Sequence, residues 1–167
     1  MPETPLIPAA VLENLAEQLY EKRKSASIEV ENTVKQYAVA GEHEKIGGLI
    51  NVLISDFTNY PEPNHRKGGL IGLAAATVGL STQATPYLEK IVPPVLSCIT
   101  DQDSRVRFYA CEALYNIAKV VRGDLFVFAP QIYEELDRLA MDSDPNVQST
   151  ARLLNQLVKD IIAESEK

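Results

Sequence analysis

Few residues in this chain have the types and spacing that catalysis or metal binding requires. His43 and His65 are its 2 histidines. No cysteine or second histidine stands at ligand spacing beside either, so a tetrahedral metal site has no support. A nucleophile–base pair would need one of these histidines, or a carboxylate, set against a serine, threonine or cysteine. The sequence suggests no such pairing. Cys98 and Cys111 lie in apolar runs and read as small core residues of a reduced, intracellular protein. The run Lys67-Gly68-Gly69-Leu70-Ile71-Gly72-Leu73-Ala74 has the glycines of a phosphate loop but neither its Gly-Lys-Ser/Thr ending nor a preceding strand. Its small residues fit close helix–helix approach instead. The paired acids Asp101/Asp103 and Asp142/Asp144 are accounted for by helix capping. The chain is therefore expected to be no enzyme, with no catalytic residue, cofactor or metal ligand.

The basic groups point elsewhere. Lys22, Arg23 and Lys24 form one cluster; His65, Arg66 and Lys67 form a second; Arg105 and Arg107 form a third. Each falls where the second helix of a repeat begins, and equivalent positions of stacked repeats line up along one edge. One reading is a docking strip for an acidic protein surface or anionic lipid headgroups. The other is internal pairing with turn acids, Arg107 with Asp101, Asp142 or Asp144 for instance. The formal net charge of -7 and the absence of Trp argue against nucleic acid as a partner. The same charge counts against strong binding to an anionic bilayer.

What must position these groups is a helical repeat. Asp101-Gln102-Asp103-Ser104-Arg105-Val106-Arg107 is followed by Ala110, and about 41 residues later Asp142-Ser143-Asp144-Pro145-Asn146-Val147-Gln148 is followed by Ala151. Looser copies start at Asn64-His65-Arg66-Lys67 and at Lys22-Arg23-Lys24. The period sits at or just below that of HEAT and armadillo repeats. Asp103 and Asp144 are suited to N-caps, and Pro145 to the first helical position. Val147, Ala151, Leu154, Val158 and Ile161 mark one face of an amphipathic helix. In the preceding helix the strongly polar Arg105, Glu112, Asn116 and Lys119 form one narrow stripe, so that helix must be buried on several sides.

These patterns predict an all-α, right-handed HEAT/armadillo-like α-solenoid of about four helical hairpins. Its eight helices are expected near 8–19, 21–40, 43–58, 64–81, 85–100, 103–122, 125–141 and 145–164, with Pro93-Pro94 kinking or splitting the fifth. The repeats span approximately 8–40, 43–81, 85–122 and 125–164 of a single domain, 1–167. Met1 to Pro5 and Glu164 to Lys167 read as loose ends. No signal peptide is recognisable, and the longest apolar stretch, Gly68 to Leu80, falls short of the ~20 residues of a membrane span.

The blocks Leu19-Tyr20-Glu21-Lys22-Arg23-Lys24, Arg66 to Ala74, Asp103 to Gly123 and Asp144-Pro145-Asn146-Val147 carry a resemblance. Within them, Tyr109-Ala110-Cys111-Glu112-Ala113-Leu114-Tyr115-Asn116-Ile117 is especially specific. They resemble the N-terminal HEAT region of the ArPIKfyve family of vacuolar scaffolds, over roughly Leu12 to Ile162. The resemblance implies a non-catalytic scaffold that docks the phosphatidylinositol 3-phosphate 5-kinase (PIKfyve type) in a complex controlling phosphatidylinositol 3,5-bisphosphate. It further implies a cytoplasmic protein, peripheral on vacuolar or endosomal membranes. It assigns a Sac-domain phosphatase and family self-association to a C-terminal region absent here, so the chain is expected to be an N-terminal fragment. Gln148 departs from the repeat signature, where arginine is usual. The alternatives are a generic HEAT adaptor, a peripheral phosphoinositide-membrane-binding module and, remotely, a helical-repeat glycosylase. Leu153 and Leu157 lie beyond the core stripe of the last helix, and that face is expected to be exposed and to self-associate.

Overall fold

The computed structural model describes residues 6–166, and the loose end expected at Met1 to Pro5 lies outside them. Eight α-helices follow in order: α1 Ala9–Leu15, α2 Tyr20–Ala40, α3 His43–Leu53, α4 Pro63–Leu80, α5 Leu88–Cys98, α6 Ser104–Val121, α7 Ala129–Leu139 and α8 Pro145–Ser165. There is no strand among the described residues. Consecutive helices pack as hairpins, and the even-numbered helices stack in series, α2 on α4, α4 on α6 and α6 on α8. The chain is an all-α solenoid.

Small residues set the distance in that stack. A Cβ on Gly68 would lie 2.2 Å from the Leu15 carbonyl oxygen, and one on Gly79 would lie 2.6 Å from the carbonyl oxygen of Glu31 in α2. Backbone therefore meets backbone where α4 crosses its neighbours, which is the role that the glycine run permits. Around it the core is continuous. Val30 and Val34 of α2, Leu70 and Leu73 of α4, Leu114 and Ile117 of α6 and Leu154 of α8 are all fully buried. The α8 face is as its spacing requires, with Val147, Ala151, Leu154, Val158 and Ile161 buried. Cys98 and Cys111 are free and buried. Burial pushes their thiols up, to about 11 for Cys98 and about 12 for Cys111, so neither carries an appreciable thiolate fraction at neutral pH.

Several helix bounds differ from the expected ones. The first helix stops at Leu15 instead of 19, because the carbonyls of Glu17 and Gln18 are turned to Arg23. The third ends at Leu53 and passes into a π-helical turn, Ile54–Thr58. The fifth begins after a 3-10 turn, Thr85–Tyr87, and runs unsplit through Pro93 and Pro94. Those prolines deprive the carbonyls of Glu89 and Lys90 of their helical donors. Both residues are exposed, where water can serve as donor, so the helix persists. A 3-10 stretch, Arg122–Phe128, precedes α7. Glu164 and Ser165, expected to be loose, close α8, and Glu164 pairs with Arg122 at 2.5 Å.

Candidate functional site

The turns that lead into α6 and α8 are built alike. Asp103 Oδ1 accepts from the amides of Arg105 at 2.8 Å and Val106 at 3.3 Å. Asp144 Oδ1 accepts from Asn146 and Val147 at the same distances, 2.8 and 3.3 Å. Each is an N-cap that satisfies two otherwise unpaired amides of the first turn. Two residues earlier, Asp101 Oδ1 accepts from the Asp103 amide and Asp142 Oδ1 from the Asp144 amide, both at 2.9 Å. The remaining acceptor capacity of Asp101 and Asp142 faces the neighbouring repeat.

There it meets arginine. Arg66 donates from Nε to Asp101 Oδ2 at 2.7 Å and from its second terminal nitrogen to Oδ1 at 3.1 Å. Arg107 treats Asp142 the same way, at 2.8 and 3.1 Å. The other terminal nitrogen turns back to two carbonyls of the preceding turn: Tyr60 and Pro61 for Arg66, Asp101 and Gln102 for Arg107. Each guanidinium thus ties its own turn to the next one by a bidentate, charge-assisted pair. These are largely buried side chains, 17% and 12% exposed for Arg66 and Asp101, 16% and 9% for Arg107 and Asp142. Burial opposes the charge on Asp142. Hydrogen bonds from Arg107 and from the Asp144 amide, with the guanidinium charge, prevail and hold its carboxyl below the usual carboxylate range. Gln148 takes the corresponding place in the last repeat and reaches back to the Asp142 carbonyl.

Arg23 completes this ladder at its other end, but differently. One terminal nitrogen binds the carbonyls of Glu17 and Gln18, at 2.7 and 2.8 Å. The position corresponding to Asp101 and Asp142 is Tyr60, which offers no carboxylate. Instead the second terminal nitrogen donates to the hydroxyl of Tyr109 at 2.9 Å, and Nε has no partner. Tyr109 and Tyr20 also face the guanidinium, with ring centroids 5.5 and 5.9 Å from its carbon.

The other basic residues singled out from sequence diverge in setting. Lys22 is exposed and 3.8 Å from Glu17, and Lys24 is exposed on α2. His65 stacks on Tyr60 at 4.3 Å and leaves Nδ1 buried without a partner. Lys67 is buried, reaching only Asn64 Oδ1 at 3.4 Å. Burial lowers its ammonium pKa, and the nearby charges of Arg23 and Arg105 act in the same direction, against Asp103 and Glu62. Arg23, Lys67 and Arg105 line one open cavity of about 540 Å³. The cations were recognisable from their spacing, but the role of Tyr109, whose ring and hydroxyl join two repeats, was not. Its one signal was the tyrosine at position 60, where the period of the turns places an acid.

Stacked hairpins bound by arginine–carboxylate rungs define a helical-repeat solenoid. An engineered protein of known crystal structure shares this fold with a TM-score of 0.59 and 21% identity, over 90% of this chain and 66% of that one. A family model described as the Vacuolar 14 Fab1-binding region matches residues 64–160. Protein VAC14 homolog of Arabidopsis thaliana is 62% identical over 96% of this chain and 22% of its own. Vacuole morphology and inheritance protein 14 of Saccharomyces cerevisiae is 41% identical over 93% of this chain and 18% of its own. The Schizosaccharomyces pombe VAC14 homolog is 42% identical over 92% and 19%. The chain belongs to the Vacuolar 14 Fab1-binding family. It spans about a fifth of the length of the curated relatives it matches.

Proposed function

We propose that this chain is a non-catalytic docking segment of a longer scaffold, and that it binds a Fab1-type phosphatidylinositol 3-phosphate 5-kinase. The observation that carries this reading is the Fab1-binding family match over residues 64–160, which spans α4 to α8. The physical setting agrees with it. The second, third and fourth hairpins are joined by largely buried ion pairs, and such a stack presents an extended face to a partner. Its four hairpins act as one domain in this proposal, with the basic clusters from Lys22 to Arg107 along the docking edge. Arg66 and Arg107 contribute there by holding the turns in register, since their charges are spent on Asp101 and Asp142.

The relative named for vacuole morphology and inheritance supports placement on the vacuole. No described helix is long and apolar enough to cross a membrane, so attachment through partners at the membrane surface fits. Control of phosphatidylinositol 3,5-bisphosphate follows from holding the kinase, and a Sac-domain phosphatase would join through parts of the scaffold beyond this chain. Co-expression of the tagged chain with the Fab1-type kinase, followed by affinity capture, tests the proposal. Recovery of the kinase is expected. Failure to recover it, with sedimentation on phosphatidylinositol 3-phosphate vesicles instead, favours the membrane-binding alternative and overturns kinase docking.

A further inference from the structure

We infer that the face formed by α2, α4 and α6 receives an acidic side chain of the docked protein, seated among Arg23, Lys67 and Arg105. The inference rests on the kinase-docking reading and specifies the chemistry of its contact. The ladder is interrupted at its first rung. Arg66 and Arg107 each receive a bidentate carboxylate from the next repeat, whereas Arg23, only 5% exposed, has Tyr60 at the equivalent place and an Nε with no acceptor. The Arg23 guanidinium is held by carbonyls, the Tyr109 hydroxyl and two rings, so its charge lies beneath the cavity without a carboxylate and favours an acid seated above it.

Two further cations in the same cavity make no close ion pair among the described residues. Lys67 is 6% exposed with one long contact to Asn64, and Arg105 is exposed with no ion pair among the described residues. Glu62, Asp103 and Asp144 also line the cavity. Asp103 and Asp144 are engaged as helix caps, however, and Glu62 is exposed to solvent. The three cations share the cavity with these three carboxylates, and an incoming acid competes with Asp103 and Glu62 for Lys67.

The occupant's next residues are indicated by the adjoining hollow. A second cavity of about 220 Å³ shares Tyr109 with the first and includes Ile71, Ala74, Ala75 and Val78 of α4. A protein segment with an acidic residue next to apolar ones uses both hollows, its apolar part lying against α4 and clear of Glu31 and Glu112, which also line the second. A phosphoinositide headgroup uses only the charges, and the net charge of -7 opposes approach to an anionic bilayer.

The test measures binding of the purified Fab1-type kinase to the chain and to Arg105→Glu, Lys67→Met and Arg152→Glu variants. Arg105 and Arg152 are exposed, so their substitution leaves the fold intact, and circular dichroism checks the buried Lys67→Met. Roughly ten- to hundredfold weaker binding by Arg105→Glu and Lys67→Met, with Arg152→Glu unchanged, is the expected result. If Arg105→Glu binds as the unaltered chain does, the acidic-contact inference is overturned and kinase docking stands. If the unaltered chain binds no kinase, both fall. Loss of binding to phosphatidylinositol 3-phosphate vesicles by Arg105→Glu, with kinase binding unchanged, identifies a lipid site and likewise overturns the inference.

Discussion

Arg107 makes four hydrogen bonds from one side chain, two to the Asp142 carboxylate and two to the carbonyls of its own turn. Such a largely buried pair gives little net stability over an apolar replacement, but removal of one partner leaves a charge without compensation. Asp142→Asn should therefore lower stability by about 1–3 kcal/mol, read as a lower urea midpoint at neutral pH. The folded carboxyl is held below its ordinary value. Its contribution is thus present above the unfolded pKa, about 3.9, and is lost as pH falls through the lower folded value. The gap between Asp142→Asn and the unaltered chain should narrow as the urea titrations are carried to low pH. A gap that is constant with pH would mean that the aspartate acts through shape alone. Arg107 against a turn acid was legible in the sequence because the acids recur with the repeat. The choice among Asp101, Asp142 and Asp144 was not. It is settled by the caps, since Asp144 is already engaged with its own helix and Asp142 is left facing the neighbour.

Elements were most legible where a local rule coincided with the packing. Asp103 and Asp144 cap as their residue type suggests, and the period of apolar residues in α8 names its buried face. The turns before α5 and α7 were legible as breaks, but their 3-10 geometry was not, because it depends on how neighbouring hairpins meet. Two equivalent helix ends show this: Ser81 has φ 52° and Arg122 has φ 41°, both left-handed although neither is glycine. Strain of that kind costs on the order of 1–3 kcal/mol. Ser81→Gly removes it and gives back roughly 0.4–1 kcal/mol through the freer unfolded chain, so a net rise in melting temperature is expected. A fall would show that the Ser81 backbone is not strained. At the other extreme, Gly79→Ala improves helix propensity by about 1 kcal/mol. Its Cβ, however, would stand 2.6 Å from the Glu31 carbonyl oxygen, which is backbone and cannot swing aside. Separation of α2 from α4 costs about 1–3 kcal/mol, so overpacking prevails and thermal melts should show a destabilised protein.

Over the whole molecule, polar and apolar surfaces are unevenly finished. The middle of the stack is covered on several sides, whereas the last hairpin leaves Val127, Met141 and Leu153 exposed at 80%, 88% and 60%. Leu153 and Leu157 were both expected beyond the core stripe. Only Leu153 is fully presented, and Leu157 packs partly against the core. The periodicity of α8 alone could not separate them, because that depends on how far α7 and the turn before it reach around the helix. Apolar side chains on the flank of a repeat stack seek a second surface, and in isolation another copy of the chain provides one. Sedimentation velocity over a range of concentrations should accordingly show reversible association that Leu153→Glu abolishes, with helicity and melting temperature unaltered. Leu157→Glu differs at this scale, since it places a charge against the core and should lower stability before it alters association. A chain that stays monomeric at every concentration would remove the self-association argument while leaving the ladder, the caps and the docking face as they are.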